Sequence, residues 1–155
     1  DRTLWNRDLI EEGSRLIHSA FSRGHVGPYQ IQAAIAVLHD EAPSTDKTDW
    51  PQIAALYAVL LKMTNNPMVA LNHVVARSMV DGAEVGLQLV EGLEKDHRMK
   101  GHFRIDAVKG HLYEKLQDYP SAATHFEAAA HKTTSIPERN YLAEKAALAK
   151  SRTIT

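Results

Sequence analysis

PMVALNHVVARSMVDGAEVGLQLVEGL (residues 67–93) lies over RIDAVKGHLYEKLQDYPSAATHFEAAA (residues 104–130) at an offset of 37. Pro67 meets Arg104, Ala70 meets Ala107, Leu71 meets Val108 and Asp81 meets Asp118. Further on, Val85 meets Ala122 and Leu89 meets Phe126. Apolar residues recur at helical spacing on both sides of the paired aspartates, and small residues stand where two helices must approach each other. Each unit therefore reads as helix, tight aspartate-containing turn, helix. A hairpin of this kind cannot bury its apolar face alone, so successive units stack.

Working outward, the helical periodicity continues. Leu4, Trp5, Leu9, Ile10, Leu16, Ile17, Ala20 and Phe21 predict a first helix, with Gly24 as its stop. Gly27-Pro28 opens a second, whose buried stripe is Ile31, Ala34, Ile35 and Leu38. EAPSTDKTD (residues 41–49) reads as a linker. Asp49 is placed to cap a third helix, with Pro51 just inside it and Ile53, Leu56, Tyr57, Leu60 and Leu61 along its face. TNNP (residues 64–67) breaks that helix and Pro67 starts a fourth, to about Val80. Asp81 is placed to cap a fifth over residues 83–93. A sixth is expected from about Gly101 to Leu116, a seventh from Pro120 to about His131, and an eighth from Pro137 to about Ser151. No alternating strand pattern interrupts them.

The expected fold is thus all-α: a right-handed stack of helical hairpins with about eight helices, in one domain over residues 1–155. Residues 1–63 supply N-terminal helices, 67–94 and 101–132 the repeat hairpins, and 137–151 a capping helix. LYEKLQDYPSAATHFEAAAHKT (residues 112–133) resembles a tetratricopeptide repeat in its pattern of small and bulky positions.

Composition narrows the functional classes. The 155 residues carry 18 Lys+Arg against 19 Asp+Glu, a net charge of −1, with the signs mixed along the chain. Proteins that grip nucleic acid through phosphates usually show a basic excess or stripe. Without cysteine there is no disulfide framework, thiolate nucleophile or cysteine-ligated zinc. No run of 18 apolar residues suggests a membrane span. The charged, amphipathic DRTLWNRDLIEEG (residues 1–13) is not a secretory signal. Because it begins on Asp1, the sequence is read as a piece of a longer chain.

Nine histidines raise the question of a metal, but no two stand at i, i+4 and HExxH is absent. Glu94 and His97 give one Glu-x-x-His at a helix end, where di-iron bundles need two such motifs and further glutamates. No metal and no cofactor is assigned. Nucleophilic catalysis finds no Gly-x-Ser-x-Gly elbow, and Ser14, Ser19 and Ser22 read as solvent-facing positions. Glu11, Glu12, Asp40 and Glu41 read as solvated helix rims. KDHRMKGHFR (residues 95–104) is the most basic stretch and reads as a cation-exposing loop.

The remaining polar candidates are Tyr29, Gln30, Gln32, His39, Asp49, Trp50 and Asn72. Tyr29 and Gln30 occupy a helix's first turn, where backbone groups lack partners. Gln32 and His39 are placed to bond a facing helix or the turn at Thr48–Trp50, and Trp50 to staple that turn. Asn72, beside Leu71, Val74 and Val75, is expected to bury its amide against a neighbouring helix. The set is read as helix-docking chemistry, with a ligand or partner site as the alternative, and no catalytic residue is assigned.

LWNRDLIEEG (residues 4–13), GPYQIQAAIAVLHDEA (27–42), TDWPQIAALY (48–57) and NPMVALNHVVA (66–76) together resemble the C-terminal extension of one group of bacterial extracytoplasmic-function (ECF) sigma factors. There a tetratricopeptide-like domain follows sigma regions two and four. The resemblance covers essentially the whole chain in ordered blocks. The group's common LNRAVA stands here as LNHVVA, and Ala58 replaces the usual aspartate of an LYDLL-like block. An aspartate–arginine pair between those blocks cannot form in this chain. The resemblance implies a parent that directs RNA polymerase to promoters and touches DNA only through regions two and four, which are absent from these residues. It implies an accessory domain that packs on those regions or on core RNA polymerase, in the bacterial cytoplasm and away from membranes. Two rivals are a stand-alone peptide-binding scaffold and a small-molecule sensor or enzyme with an enclosed pocket lined by the polar set.

Overall fold

The computed structural model describes residues 26–153 continuously, together with Asp8, Arg15, Ser19, Ser22 and Gly24. The helix expected over Leu4–Phe21 falls mostly outside the described residues. Those described form seven α-helices and two short 3-10 turns, with no strand among them. The fold is all-α. The chain divides into two compact units, residues 1–76 and 77–155.

In the first unit, α1 spans Pro28–Glu41, α2 spans Trp50–Thr64, and α3 begins at Pro67. Proline opens α1 and lies at the second position of α2, where a missing N–H costs nothing. Asn65 ends α2 in the left-handed conformation, at φ 45°, and its N–H bonds Leu61 O. Asn66 Oδ1 then accepts from Met68 N–H at 2.8 Å as α3 starts. The core joins Ile31 and Ile35 of α1 to Ile53, Ala54 and Leu60 of α2, and to Val69 and Ala76 of α3. Full burial of each large aliphatic side chain contributes about 1.5–3 kcal/mol.

The second unit holds the end of α3 (Pro67–Asp81), then α4 (Ala83–Glu94), α5 (Phe103–Lys115), α6 (Tyr119–Lys132) and α7 (Ile136–Thr153). From α4 onward each helix packs on the next, α5 on α6 and α6 on α7 most extensively, which makes a stack of helical hairpins. The core is built on alanine: Ala122, Ala123, Ala129 and Ala130 of α6 meet Leu142, Ala146 and Ala149 of α7 around the fully buried Phe126. Close approach also explains two glycines. A Cβ on Gly86 would lie 2.7 Å from Ser78 Cβ, and one on Gly110 would lie 2.7 Å from the Phe126 ring.

The two hairpins turn by different means. Asp118 Oδ1 accepts from Ser121 N–H at 3.1 Å and caps α6, after Gln117 has taken φ 61°. Asp81, expected to cap α4, instead ends α3 and pairs with Arg77 at 2.6 Å. Gly82 at φ 98° is the N-cap of α4 and supplies no side-chain bond. Glycine reaches that backbone geometry without a Cβ penalty, so the turn closes in one residue and the aspartate is left to its own helix.

Between α4 and α5, a 3-10 turn (His97–Met99) is pinned by Met99, which is only 2% exposed. Asp96 bonds the Arg98 guanidinium at 2.7 Å and its backbone N–H at 3.0 Å. Those bonds hold the Asp96 carboxyl down at about 2. The most basic stretch is thus an anchored loop whose Arg98 is already paired.

Candidate functional site

The seven residues singled out in the sequence do not converge. Tyr29 is 84% exposed at the start of α1. One residue on, Gln30 turns back and its Oε1 accepts from Gly27 N–H at 3.0 Å, closing the helix end. His39, Asp49 and Trp50 do come together, in the connection between α1 and α2. Asp49 Oδ1 accepts from Gln52 N–H at 3.0 Å. The Trp50 indole N–H donates to Thr45 O at 2.9 Å, and its ring meets the His39 ring edge-on at 5.2 Å. Buried Thr48 donates its hydroxyl to Ser44 O. Together these contacts brace the linker internally, against the start of α2, and α1 against α2.

Gln32 and Asn72 form a second pair. Both are exposed, and with Ile35, Tyr57, Leu60 and Val69 they line an open groove of about 240 Å³. The amide of Asn72 was expected to be buried and is not. Leu71 and Val74 occupy the core-facing side of α3, and the intervening position turns outward. Burial pushes the Tyr57 hydroxyl above its ordinary range, so it stays protonated in the groove wall. The groove is open to solvent and not an enclosed cavity.

The denser polar chemistry lies in the second unit. Asp106 of α5 is 8% exposed and holds two groups of α6: His125 Nδ1 at 3.1 Å, and the Lys132 ammonium. Tyr113 stacks on the His125 ring with the planes nearly parallel, 5.4 Å between centroids. Asp106 also borders an open cavity of about 200 Å³ with Glu94, Lys100, His102 and Lys132. A carboxylate that orients histidine is one half of a nucleophile-activating arrangement, but no hydroxyl bonds this ring among the described contacts. Its clear physical effect is to tie α5 to α6.

A second cluster ties α5 to α7. Lys145 Nζ donates to both Glu114 oxygens, at 2.7 and 2.6 Å, and Arg152 approaches the same carboxylate at 3.9 Å. His111 sits between Phe126, whose ring it meets edge-on at 4.9 Å, and the Tyr141 hydroxyl, 3.4 Å from its Nε2. Burial, then the charge of Lys145, push His111 below the ordinary histidine value, and Glu114 restores only part. Burial alone would raise Glu114, but the bonds and charge of Lys145, with help from His111 and Arg152, hold it below the ordinary value.

Sequence reasoning missed both clusters, although one carried a signal. At the repeat offset of 37, Asp106 falls on Val69, a buried position of the first unit. A carboxylate in a core register marks an internal bond. Glu94 and His97 hold no common site, since Glu94 pairs with Lys109 at 2.6 Å while the His97 side chain is 93% exposed. Among the described residues no group of three metal-ligating side chains forms, and every buried side-chain polar atom has a partner. No described helix is long and apolar enough to cross a membrane.

The fold and these clusters define a helical-hairpin protein whose polar groups chiefly bond its own helices together. The chain is similar to an uncharacterized protein of Rhizobium meliloti, 39% identical over 142 residues. That alignment covers 92% of this chain and 33% of the relative, so the chain spans about a third of the relative's length. No family model matches the chain. No solved structure matches it.

Proposed function

We propose that this chain is the accessory, regulatory domain of a bacterial ECF-type sigma factor and acts by protein–protein contact without catalysis. Its partners are sigma regions two and four of the parent chain, core RNA polymerase, or both, in the cytoplasm. The observation that carries the reading is the series of ordered blocks at residues 4–13, 27–42, 48–57 and 66–76 that resembles such extensions. Two further points support it. The Rhizobium relative is about three times as long as the aligned segment, which leaves room for further regions in a protein of that kind. Stacked helical hairpins also present side chains along their faces, a geometry suited to binding a peptide or a helix.

The test is transcription in vitro from a matched promoter, with core polymerase and the parent sigma factor with or without residues 1–155. A change in initiation in either direction is the expected result, and its sign tells whether the domain activates or restrains. Equal initiation by both proteins would refute direct control of the sigma regions.

A further inference from the structure

Three helices of the first unit each send two side chains to the open groove described above. From α1 come Gln32 and Ile35, from α2 Tyr57 and Leu60, and from α3 Val69 and Asn72. In every pair one member is polar and the other aliphatic. The two stand three residues apart, so they share a helix face, one turn from each other. Ile35, Leu60 and Val69 are buried and make the floor. The polar three make the rim, with Gln32 and Asn72 exposed and Tyr57 half-buried. No hydrogen bond ties the side chain of Gln32, Tyr57 or Asn72 to another described residue.

Charge separates this groove from two other recesses of the molecule. The one beside Asp106 is also lined by Glu94, Lys100, His102 and Lys132, and one between α6 and α7 by Glu127, His131, Arg139 and Lys150. In both, ion pairs between helices already use much of the charge: Asp106 with Lys132, Glu94 with Lys109, and Glu127 with Lys150. The groove of the first unit has no charged lining residue, so a charged ligand would lose water there without meeting a counter-charge. What it offers is two primary amides, each a donor beside an acceptor, and a phenol that stays protonated and can donate. Such amides make two hydrogen bonds at once to a ring edge that carries a donor next to an acceptor, as Asn and Gln do with base edges. At about 240 Å³ the recess is smaller than the roughly 300–1,000 Å³ of pockets for drug-sized ligands, which limits the occupant to one ring or two fused rings.

We propose that Gln32, Tyr57 and Asn72 form a binding site for a small uncharged heterocycle of the nucleobase class, one that carries an N–H beside a C=O. The amides of Gln32 and Asn72 take its N–H and C=O groups, the Tyr57 hydroxyl donates to a further acceptor, and the ring face lies on Ile35, Leu60 and Val69. Binding here does not depend on the function proposed above.

Proton–nitrogen correlation NMR of isotopically labelled residues 1–155, titrated with uracil, tests it. The side-chain NH₂ signals of Gln32 and Asn72 report on the site directly. They are expected to shift together and to saturate with a Kd on the order of 1 mM, as suits a ligand of few atoms in an open groove. N,N′-dimethyluracil keeps the ring and its carbonyls but loses both N–H groups, and should bind at least about five-fold more weakly. Gln32→Ala with Asn72→Ala, followed on backbone signals around the groove, should weaken uracil about ten-fold or more, and Tyr57→Phe about three-fold. Helical circular dichroism should stay unchanged, because Gln32 and Asn72 are exposed and Tyr57→Phe keeps its ring. Uracil that leaves both amide signals unmoved up to about 20 mM overturns the proposal, and so do folded variants that bind like the parent sequence. Dimethyluracil as tight as uracil would mean that the apolar floor alone is recognised. N-acetylglycine methylamide as tight as uracil would mean that the groove takes open-chain amides, and either of these results also overturns the proposal.

Discussion

Gly110→Ala isolates the packing of α5 on α6. A Cβ there would lie 2.7 Å from two carbons of the Phe126 ring, whereas carbon atoms in good contact sit about 3.5–4.0 Å apart. The ring has nowhere to retreat. It is 0% exposed, the His111 ring meets it edge-on at 4.9 Å, and the Lys145 ammonium lies 5.6 Å from its centre. Overpacking of this kind costs about 1–3 kcal/mol, and this site belongs at the upper end. Replacing a helical glycine by alanine returns about 1 kcal/mol through backbone entropy. The net expectation is a loss of about 2 kcal/mol, or a fall in Tm of roughly 4–8 °C for a chain of this size.

Gly92→Ala is the internal control, because nothing lies within 4 Å of a Cβ built there. Propensity then acts alone, damped by closeness to the end of α4, and the expected gain lies between zero and about 1 kcal/mol. Urea denaturation followed by circular dichroism should therefore move the two variants in opposite directions. A double variant, Gly110→Ala with Phe126→Leu, should lose less than the two single losses added, because each change relieves the other. If Gly110→Ala unfolds at the same urea concentration as the parent sequence or higher, the tight contact does not constrain the helix pair and the reasoning fails. Additive losses in the double variant would fault it in a different way, by showing that the ring is not what the new methyl meets.

The polar ties between these helices make further predictions. Asp106→Ala removes the acceptor for both His125 and Lys132 and should cost about 1–3 kcal/mol in a urea titration. Unchanged stability would mean that the buried carboxylate contributes nothing net to the α5–α6 contact. The pH dependence of stability should also show His111. Its folded value is depressed, so the unfolded chain binds more protons as pH falls through the ordinary histidine value, and stability drops from about pH 6.5 downward. Glu114, also depressed, adds a loss of the same sign at lower pH, as its carboxylate is protonated. His111→Phe keeps a ring beside Phe126 and should flatten the decline between pH 7 and pH 5. An equally steep decline in that variant would assign the effect to other groups.

The helices were legible because proline, glycine and aspartate punctuate an otherwise regular apolar period. Pro28, Pro67 and Pro120 each stand at or next to the first residue of an observed helix, and Asp49 and Asp118 cap theirs. What the pattern could not distinguish was how a turn is closed. Asp81 and Asp118 align in the repeat, yet a glycine beside Asp81 takes the capping place, and a single sequence offers no way to choose between two adequate caps. Asn72 failed for a different reason. Its apolar neighbours suggested burial, and Val69 and Ala76 at i−3 and i+4 are indeed buried, yet Asn72 itself opens onto the groove beside Gln32 and Tyr57, which the sequence around it does not reveal.

The side chains between helices were harder to see because their meaning depends on which helices touch. Glu114, Lys145 and Arg152 are unremarkable charges along α5 and α7, and become one cluster only when the two helices lie side by side. The repeat offset already held the key to that pairing. It relates Arg104, Val108, His111 and Lys115 to Tyr141, Lys145, Leu148 and Arg152, but the matched residues differ in type at nearly every position. Similarity in composition ends near residue 130, while the helical register runs on into α7. A stack preserves small residues where backbones close together, as at Gly110 beneath Phe126, and leaves its open face free to change chemistry from one helix to the next. That freedom is why the core of this chain can be read from its alanines and glycines. It is also why the cluster of Glu114, Lys145 and Arg152 comes into view only once helices 37 residues apart are placed together.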